Sequence, residues 1–361
     1  MYENDIPQLK KSPLSKAAMA VRFVAIGAIL VISLSAMGYV NGLFDAKRLT
    51  PERVVNALER NAGLHPGYRR NHPKGVCVVG YFESNGLVAT LSKAQVFRPG
   101  RIPIIGRLAL PTGDPFSPDN AIPVRSFAIQ FTQPDGQQWR TGMNSMPVFP
   151  VGTPQAFVDL LIATSPDPKT GKVDPSKPAA FFAAHPEAQP FLAWVQNAKP
   201  SASYVTQAYN SLNAFFLVDA QGHKQAVRWT LVPQSSVAGE APTQVDYLEQ
   251  DLNEELKSGP KRWSLVFTLA NPGDPANDAS KQWQGDHQTL DAGTLVIDRD
   301  MPQIEGDCRD INFDPLMLPE GIEGSDDPLL AARSAAYARS YLRRTSEVSA
   351  LQVPQAQEHQ Q

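Results

Sequence analysis

The side chains best suited to chemistry are one histidine, one asparagine and an arginine–tyrosine pair. Arg69-Arg70-Asn71-His72-Pro73-Lys74 sets an imidazole just ahead of an apolar run. An imidazole can take and return a proton near neutrality. Asn144-Ser145-Met146-Pro147 offers an amide that hydrogen-bonds without titrating. Arg333 and Tyr337 stand four residues apart, which on a helix puts both on one face, with Tyr341 a turn further on. A tyrosine phenolate can ligate ferric iron, and a guanidinium one turn away favours the ionised form. Taken singly, each has a plainer reading. Such a histidine is commonly a surface or satisfied core residue, an asparagine near proline makes a turn, and an i, i+4 Arg–Tyr pair is usually packing.

The elements that must position these groups can be read from pattern. Thr50-Pro51-Glu52 is a helix start, Val54, Val55 and Leu58 its buried stripe, and Gly63 its end. Val76 to Phe82 reads as a buried strand, and Phe127, Ile129 and Phe131 as an alternating one. Phe215–Val218 and Val227–Leu231 flank a turn at Asp219-Ala220-Gln221-Gly222; Trp263–Leu269 and Thr294–Ile297 add strands. Helices are expected over Ala156–Ala163, over Thr243–Leu256, and from Asp327-Pro328 to about Arg344. Pro166 to Pro178 reads as a surface excursion, and residues 346–361 as a frayed, disordered tail. This pattern predicts an α+β fold, an antiparallel sheet closed into a barrel with flanking helices. One domain, 45–345, follows the N-terminal segment.

Composition narrows the partners. Apolar residues make up 42% and the net charge is −3 without a basic patch, so a globular body is expected and nucleic acid is not. Cys77 and Cys308 leave a disulfide open but do not require one. There is no CxxCH, so any haem is held without thioether bonds. Residues 1–22 are basic, with Lys10, Lys11, Lys16 and Arg22, and Phe23 to Phe44 carry no charge. As a helix those residues span roughly 33 Å, enough for a bilayer core. The charge bias puts the N-terminus in the cytoplasm and the body outside. The segment is either an anchor in a bacterial inner membrane facing the periplasm or a cleaved signal peptide.

Five motifs, in order, resemble the catalase family. His72-Pro73-Lys74-Gly75 then Gly80-Tyr81-Phe82-Glu83 is similar to H-A-K-G…G-Y-F-E. Val124 to Phe131 resembles R-G-F-A-V-K-F, and Met143 to Phe149 resembles G-N-N-T-P-I-F. Phe313-Asp314-Pro315 with Leu318 to Glu323 is similar to F-D-P…M-P-P-G-I-E, and Arg333 to Tyr337 fits R-x-x-x-Y. The resemblance implies the catalase-core barrel holding one haem b, His72 and Asn144 as the catalytic pair above the iron, and Tyr337 as its axial ligand. It also implies Arg333 beside the phenolate, Arg69, Arg107 and Arg344 near the haem propionates, and Phe149 and Phe157 in the distal pocket.

Several departures point to the short, periplasmic catalase-related peroxidases. Fewer than 30 residues separate Phe44 from His72, so the long N-terminal arm of large catalases is missing. The family serine that hydrogen-bonds the distal histidine aligns with Ala109, and the channel aspartate with Pro123. The histidine associated with nicotinamide-nucleotide binding falls at Asn213, so no NADPH is expected. The implied activity is reduction of organic peroxides and hydrogen peroxide by an external small-molecule or protein donor, through a high-valent iron intermediate. The alternatives are a small true catalase, a lipid-hydroperoxide-rearranging enzyme, and a haem-binding protein without catalysis.

Overall fold

A computed structural model of the chain describes residues 15–40, 48–235 and 241–352. The chain divides into two compact units, Met1–Thr50 and Pro51–Gln361. The described element of the first is helix α1 (Lys16–Val40), which is apolar and almost wholly exposed. Its mean hydropathy of 2.3 over an 18-residue window makes it long and apolar enough to cross a membrane. Residues 1–14 and 41–47, part of the expected basic leader and apolar span, lie outside the described residues.

The second unit begins with helix α2 (Pro51–Ala62), followed by a four-strand meander: β1 (Gly75–Ser84), β2 (Gly100–Ala109), β3 (Ser126–Thr132) and β4 (Gln138–Asn144). Helices α3 (Pro154–Ala163), α4 (Ser176–Ala184) and α5 (Gln189–Asn197) come next, then strands β5 (Tyr209–Asn210), β6 (Phe215–Val218) and β7 (Lys224–Pro233). Helix α6 (Leu248–Lys257), strands β8 (Lys261–Leu269), β9 (Thr289–Pro302) and β10 (Ile322–Gly324), and helix α7 (Pro328–Gln352) complete it. Pairing runs β7–β5–β4–β3–β2–β1–β9–β8, and β8 returns to β7. The result is the expected closed antiparallel barrel with flanking helices, here of eight strands, with β6 and β10 continuing the sheet beyond β7.

Alternation decides which residues do what. On β1–β4 one face sends Val78, Phe82, Leu108, Phe127, Phe131 and Trp139 into the barrel, all essentially without exposure. There Phe131 stacks on Trp139 at 4.5 Å, and Trp229 and Phe267 close the aromatic centre. Burying each such ring contributes about 2–3 kcal/mol, which anchors strand register. The opposite face carries Cys77, Arg107, Ala109, Ser126, Ala128, Gly142 and Asn144, brought side by side by the registers Cys77↔Arg107, Arg107↔Ala128, Ala109↔Ser126 and Ser126↔Asn144. Small residues at Ala109, Ala128 and Gly142 leave a shallow floor outside the barrel.

Several boundaries differ from the expected ones, three of them in helices of the second unit. Helix α6 starts at Leu248 rather than Thr243, because the buried Asp119 carboxylate accepts the free Tyr247 and Leu248 N–H groups (2.7 and 2.8 Å). Helix α4 begins inside the expected surface excursion, at Ser176. Helix α7 runs on to Gln352, past Arg344 and into the stretch expected to be disordered, because Glu347 pairs with buried Arg70 and accepts from Gly67 N (2.8 Å); residues 353–361 lie outside the described residues. Further ion pairs, Arg339 and Arg343 to Glu52 and Arg343 to Glu59 (2.8 Å), bind α7 to α2. They lock the helix that carries Tyr337.

Candidate active site

A cavity of about 440 Å³ lies between the outer face of β1–β4 and helix α7. It is lined by all nine residues singled out from sequence: His72, Asn144, Arg69, Arg107, Arg333, Tyr337, Arg344, Phe149 and Phe157. On the barrel side stand His72 and Asn144. On the helix side, Arg333, Tyr337 and Arg344 follow one another at four- and seven-residue steps along a single face.

The backbone around His72 is held from several directions. His72 N donates to Thr112 O (2.7 Å) and Leu110 N to Lys74 O (3.1 Å). Lys74 reaches away from the cavity to Asp119 (2.8 Å) and Asp246. Gly75 allows the close approach behind it, since a Cβ there would lie 2.8 Å from Arg107 Nη2. Among the described residues only His72 (φ 58) and Leu212 (φ 64) are non-glycines at positive φ, and both line this cavity. Strained backbone of this kind persists where surrounding contacts over-determine it, and it gathers at functional sites.

Electrostatics set the protonation of His72. Burial first, then the positive charges of Arg107, Arg333 and Arg69, push its pKa down to about 3, opposed only by a hydrogen bond with Asn144. The ring is therefore neutral at pH 7, the form that accepts a proton. An imidazole of ordinary pKa near ~6.5 would lose base activity below neutrality. Here the neutral form persists until the pH falls towards about 3. The rate of reaction with peroxide should accordingly stay flat from pH 7.5 to 4.5 in stopped-flow measurements. A fall centred near pH 6.5 would show that His72 is not held this way.

On the opposite side Arg333 Nη1 donates to Asn213 Oδ1 (2.5 Å) and Nη2 to Gly142 O (3.2 Å), with the guanidinium 5.8 Å from the Tyr337 ring centre. Asn213 Nδ2 in turn donates to Asp327 (2.7 Å), whose other oxygen caps α7 at Leu329 N (2.9 Å). Asn213 is thus a buried link between Asp327 and Arg333.

Three further guanidiniums converge on the segment 303–313. Arg69 Nη2 donates to the carbonyls of Cys308, Arg309 and Ile311 (2.9–3.0 Å). Arg344 Nη1 donates to Arg309 O (2.5 Å), and Arg107 Nε to Gln303 Oε1 (2.6 Å). Cys308 is disulfide-bonded to Cys77 on β1, Cα to Cα 5.4 Å, which staples this segment to the barrel. Burial, and then repulsion from Arg107 and Arg344, hold Arg69 well below the usual guanidinium range; burial lowers Arg344, opposed by Asp310, and chiefly burial brings Arg107 to about 9. The nearby Asp310 is 3.7 Å from Arg344, yet Arg344 Nη2 is buried without a hydrogen-bond partner. Such a cluster calls for carboxylates.

The donor set fits a haem. A phenol and a histidine line one slot floored by Ala109, Ala128 and Gly142, and three guanidiniums border it, one of whose nitrogens, Arg344 Nη2, has no partner. Phe149 and Phe157 pack together, ring centres 5.7 Å apart, on the apolar wall. Sequence reasoning did not find Ser126, Asn213, Gln303 or Asp327. Asp327 was legible only as a helix cap and Asn213 only as the place of a missing family histidine, since the bond that joins them spans 114 residues.

Residues 65–360 match the sequence pattern of the family described as Catalase. The chain belongs to the catalase family. That family generally binds haem. Two relatives named catalase-related peroxidase are similar over nearly their whole lengths. One, from Synechococcus elongatus, is 36% identical over 88% of this chain and 96% of its own. The other, from Mycolicibacterium paratuberculosis, is 32% identical over 85% and 98%. Among solved structures, a fungal catalase (TM-score 0.69, 22% identity) and catalase A of Saccharomyces cerevisiae (TM-score 0.70, 20% identity) share the fold. This chain spans 59% and 61% of those two chains and 77% of itself is matched.

Proposed function

We propose that this chain is a haem-dependent peroxidase, binding haem b through Tyr337 and reducing organic peroxides and hydrogen peroxide at the expense of an external donor. The observation that carries the reading is one cavity with His72 and Asn144 on one wall and the Arg333–Tyr337 pair on the other. Similarity to two relatives named catalase-related peroxidase supports peroxidase over catalase.

When bound, the haem supplies the two electrons that break the O–O bond and recovers them from the donor. Tyr337 would hold the iron, with Arg333 favouring its phenolate and Arg69, Arg107 and Arg344 taking the carboxylates. Neutral His72 removes the proton from the near peroxide oxygen and delivers it to the far one, which leaves as alcohol or water. Asn144 donates a hydrogen bond that holds the peroxide meanwhile. Phe149, Phe157, Val124 and Leu212 exclude water around them. A carrier that only bound haem would not need the histidine and asparagine opposite the phenol.

Ala109 and Pro123 border the same cavity and replace polar family residues with apolar ones. This supports entry of alkyl hydroperoxides and poor positioning of a second hydrogen peroxide. Donor oxidation driven by an alkyl hydroperoxide should therefore exceed oxygen evolution from hydrogen peroxide. Oxygen evolution larger by orders of magnitude would make this a small catalase.

The proposed location is the periplasmic side of a bacterial inner membrane, through α1 as anchor, or the periplasm after its cleavage. The Cys77–Cys308 bond supports it, because disulfides persist in oxidising compartments and are rare in the cytosol. A C-terminal alkaline phosphatase fusion should be active in cells. A soluble cytosolic product with both thiols free would contradict the assignment.

A further inference from the structure

Ser126 sits on β3 between two register partners, Ala109 on β2 and Asn144 on β4. Its side chain is buried and borders the cavity, and its hydroxyl donates to Asn144 Oδ1. Where the resemblance has glycine in R-G-F, this chain has serine; where it has serine beside the histidine, this chain has Ala109. The hydroxyl has in effect crossed from one strand to the next, from the His72 side to the Asn144 side. We propose that Ser126 is a positioning residue for the peroxide reaction, holding the Asn144 amide with its NH₂ group towards the cavity. The proposal rests on the reading of this cavity as the peroxide site.

An asparagine amide presents a donor and an acceptor of nearly equal size, so rotation by half a turn exchanges them. Once His72 has taken its proton, the peroxide oxygen is an acceptor alone and is held by the donor end. Ser126 delivers its hydrogen to Oδ1. With Oδ1 occupied, Nδ2 is the end left for a ligand. The backbone is fixed too: Ser145 N donates to Arg125 O (2.8 Å), and Ser145 Oγ accepts from Arg125 N (2.9 Å). The side-chain torsion is then the freedom that remains, and Ser126 removes it.

The test uses the holoprotein and its Ser126→Ala, Ser126→Gly, Asn144→Ala and Ser126→Ala/Asn144→Ala variants. Haem content and melting temperature should be unchanged in the Ser126 variants, while the stopped-flow rate with peroxide falls about tenfold, the scale of one lost hydrogen bond. The C–O stretch of carbon monoxide bound to the reduced holoprotein should shift, because it reads the donor facing the iron; a residue that only packs would leave it in place. Adding Ser126→Ala to Asn144→Ala should cost nothing more. Wild-type rate and stretch in Ser126→Ala, beside a slow Asn144→Ala, would overturn the positioning role and leave the site reading intact. An equal further loss in the double variant would also overturn it. Wild-type rates in Asn144→Ala itself would instead remove the site reading on which the proposal stands.

Discussion

Tyr337→Phe should abolish the native haem spectrum. The substitution removes the Tyr337 phenol oxygen from the cavity and keeps the ring, so packing around α7 is preserved. The protein should purify with little haem, or with haem whose absorption is that of a histidine- or water-ligated iron. Melting temperature without haem should match the wild type without haem, which separates loss of a ligand from loss of the fold. The ion pairs of α7 with Glu52 and Glu59 on α2, and of Glu347 with Arg70, hold the helix independently of Tyr337. An unchanged spectrum in Tyr337→Phe would remove the ligand assignment. Arg333→Ala should bind haem less tightly, because it loses the guanidinium beside the phenolate together with its bonds to Asn213 and Gly142.

His72→Ala should keep its haem and react with peroxide about 100-fold more slowly or worse, the typical scale for losing a general acid–base group. The cavity would gain volume, so binding of peroxide itself would not be obstructed. The loss belongs to proton transfer, and added imidazole should restore part of the rate. A wild-type rate in His72→Ala would show that the proton takes another route. Asn144→Ala should cost less, since it loses one hydrogen bond and no proton shuttle.

Much of this arrangement was legible in the residues because it follows from periodicity and from ordered motifs. Phe127, Ile129 and Phe131 alternate, and they do face the barrel interior. Strand β2 escaped notice because Pro103 interrupts it. The structure shows why proline is tolerated: β3 pairing begins only at Ile104, so Pro103 faces no donor demand on that side. The three guanidiniums were visible as motif neighbours. Their common anchor, the 303–313 segment and its tie to Cys77, was not, because a bond across 231 residues leaves no local pattern. Asn213 shows a similar limit. Its alignment marked only the lack of a family histidine, whereas its contacts make it a bridge from Asp327 to Arg333. Ser126 and Ala109 looked like unrelated departures until register placed them side by side.

The account turns on one haem held between Tyr337 and His72. An anomalous-scattering map at the iron edge, from crystals of the holoprotein, tests this most directly. The account predicts a single iron peak bonded to the Tyr337 oxygen, with His72 and Asn144 on the opposite face of the ring and carboxylates on Arg69, Arg107 and Arg344. An iron peak away from Tyr337, or none in protein that still reduces peroxide, would contradict it.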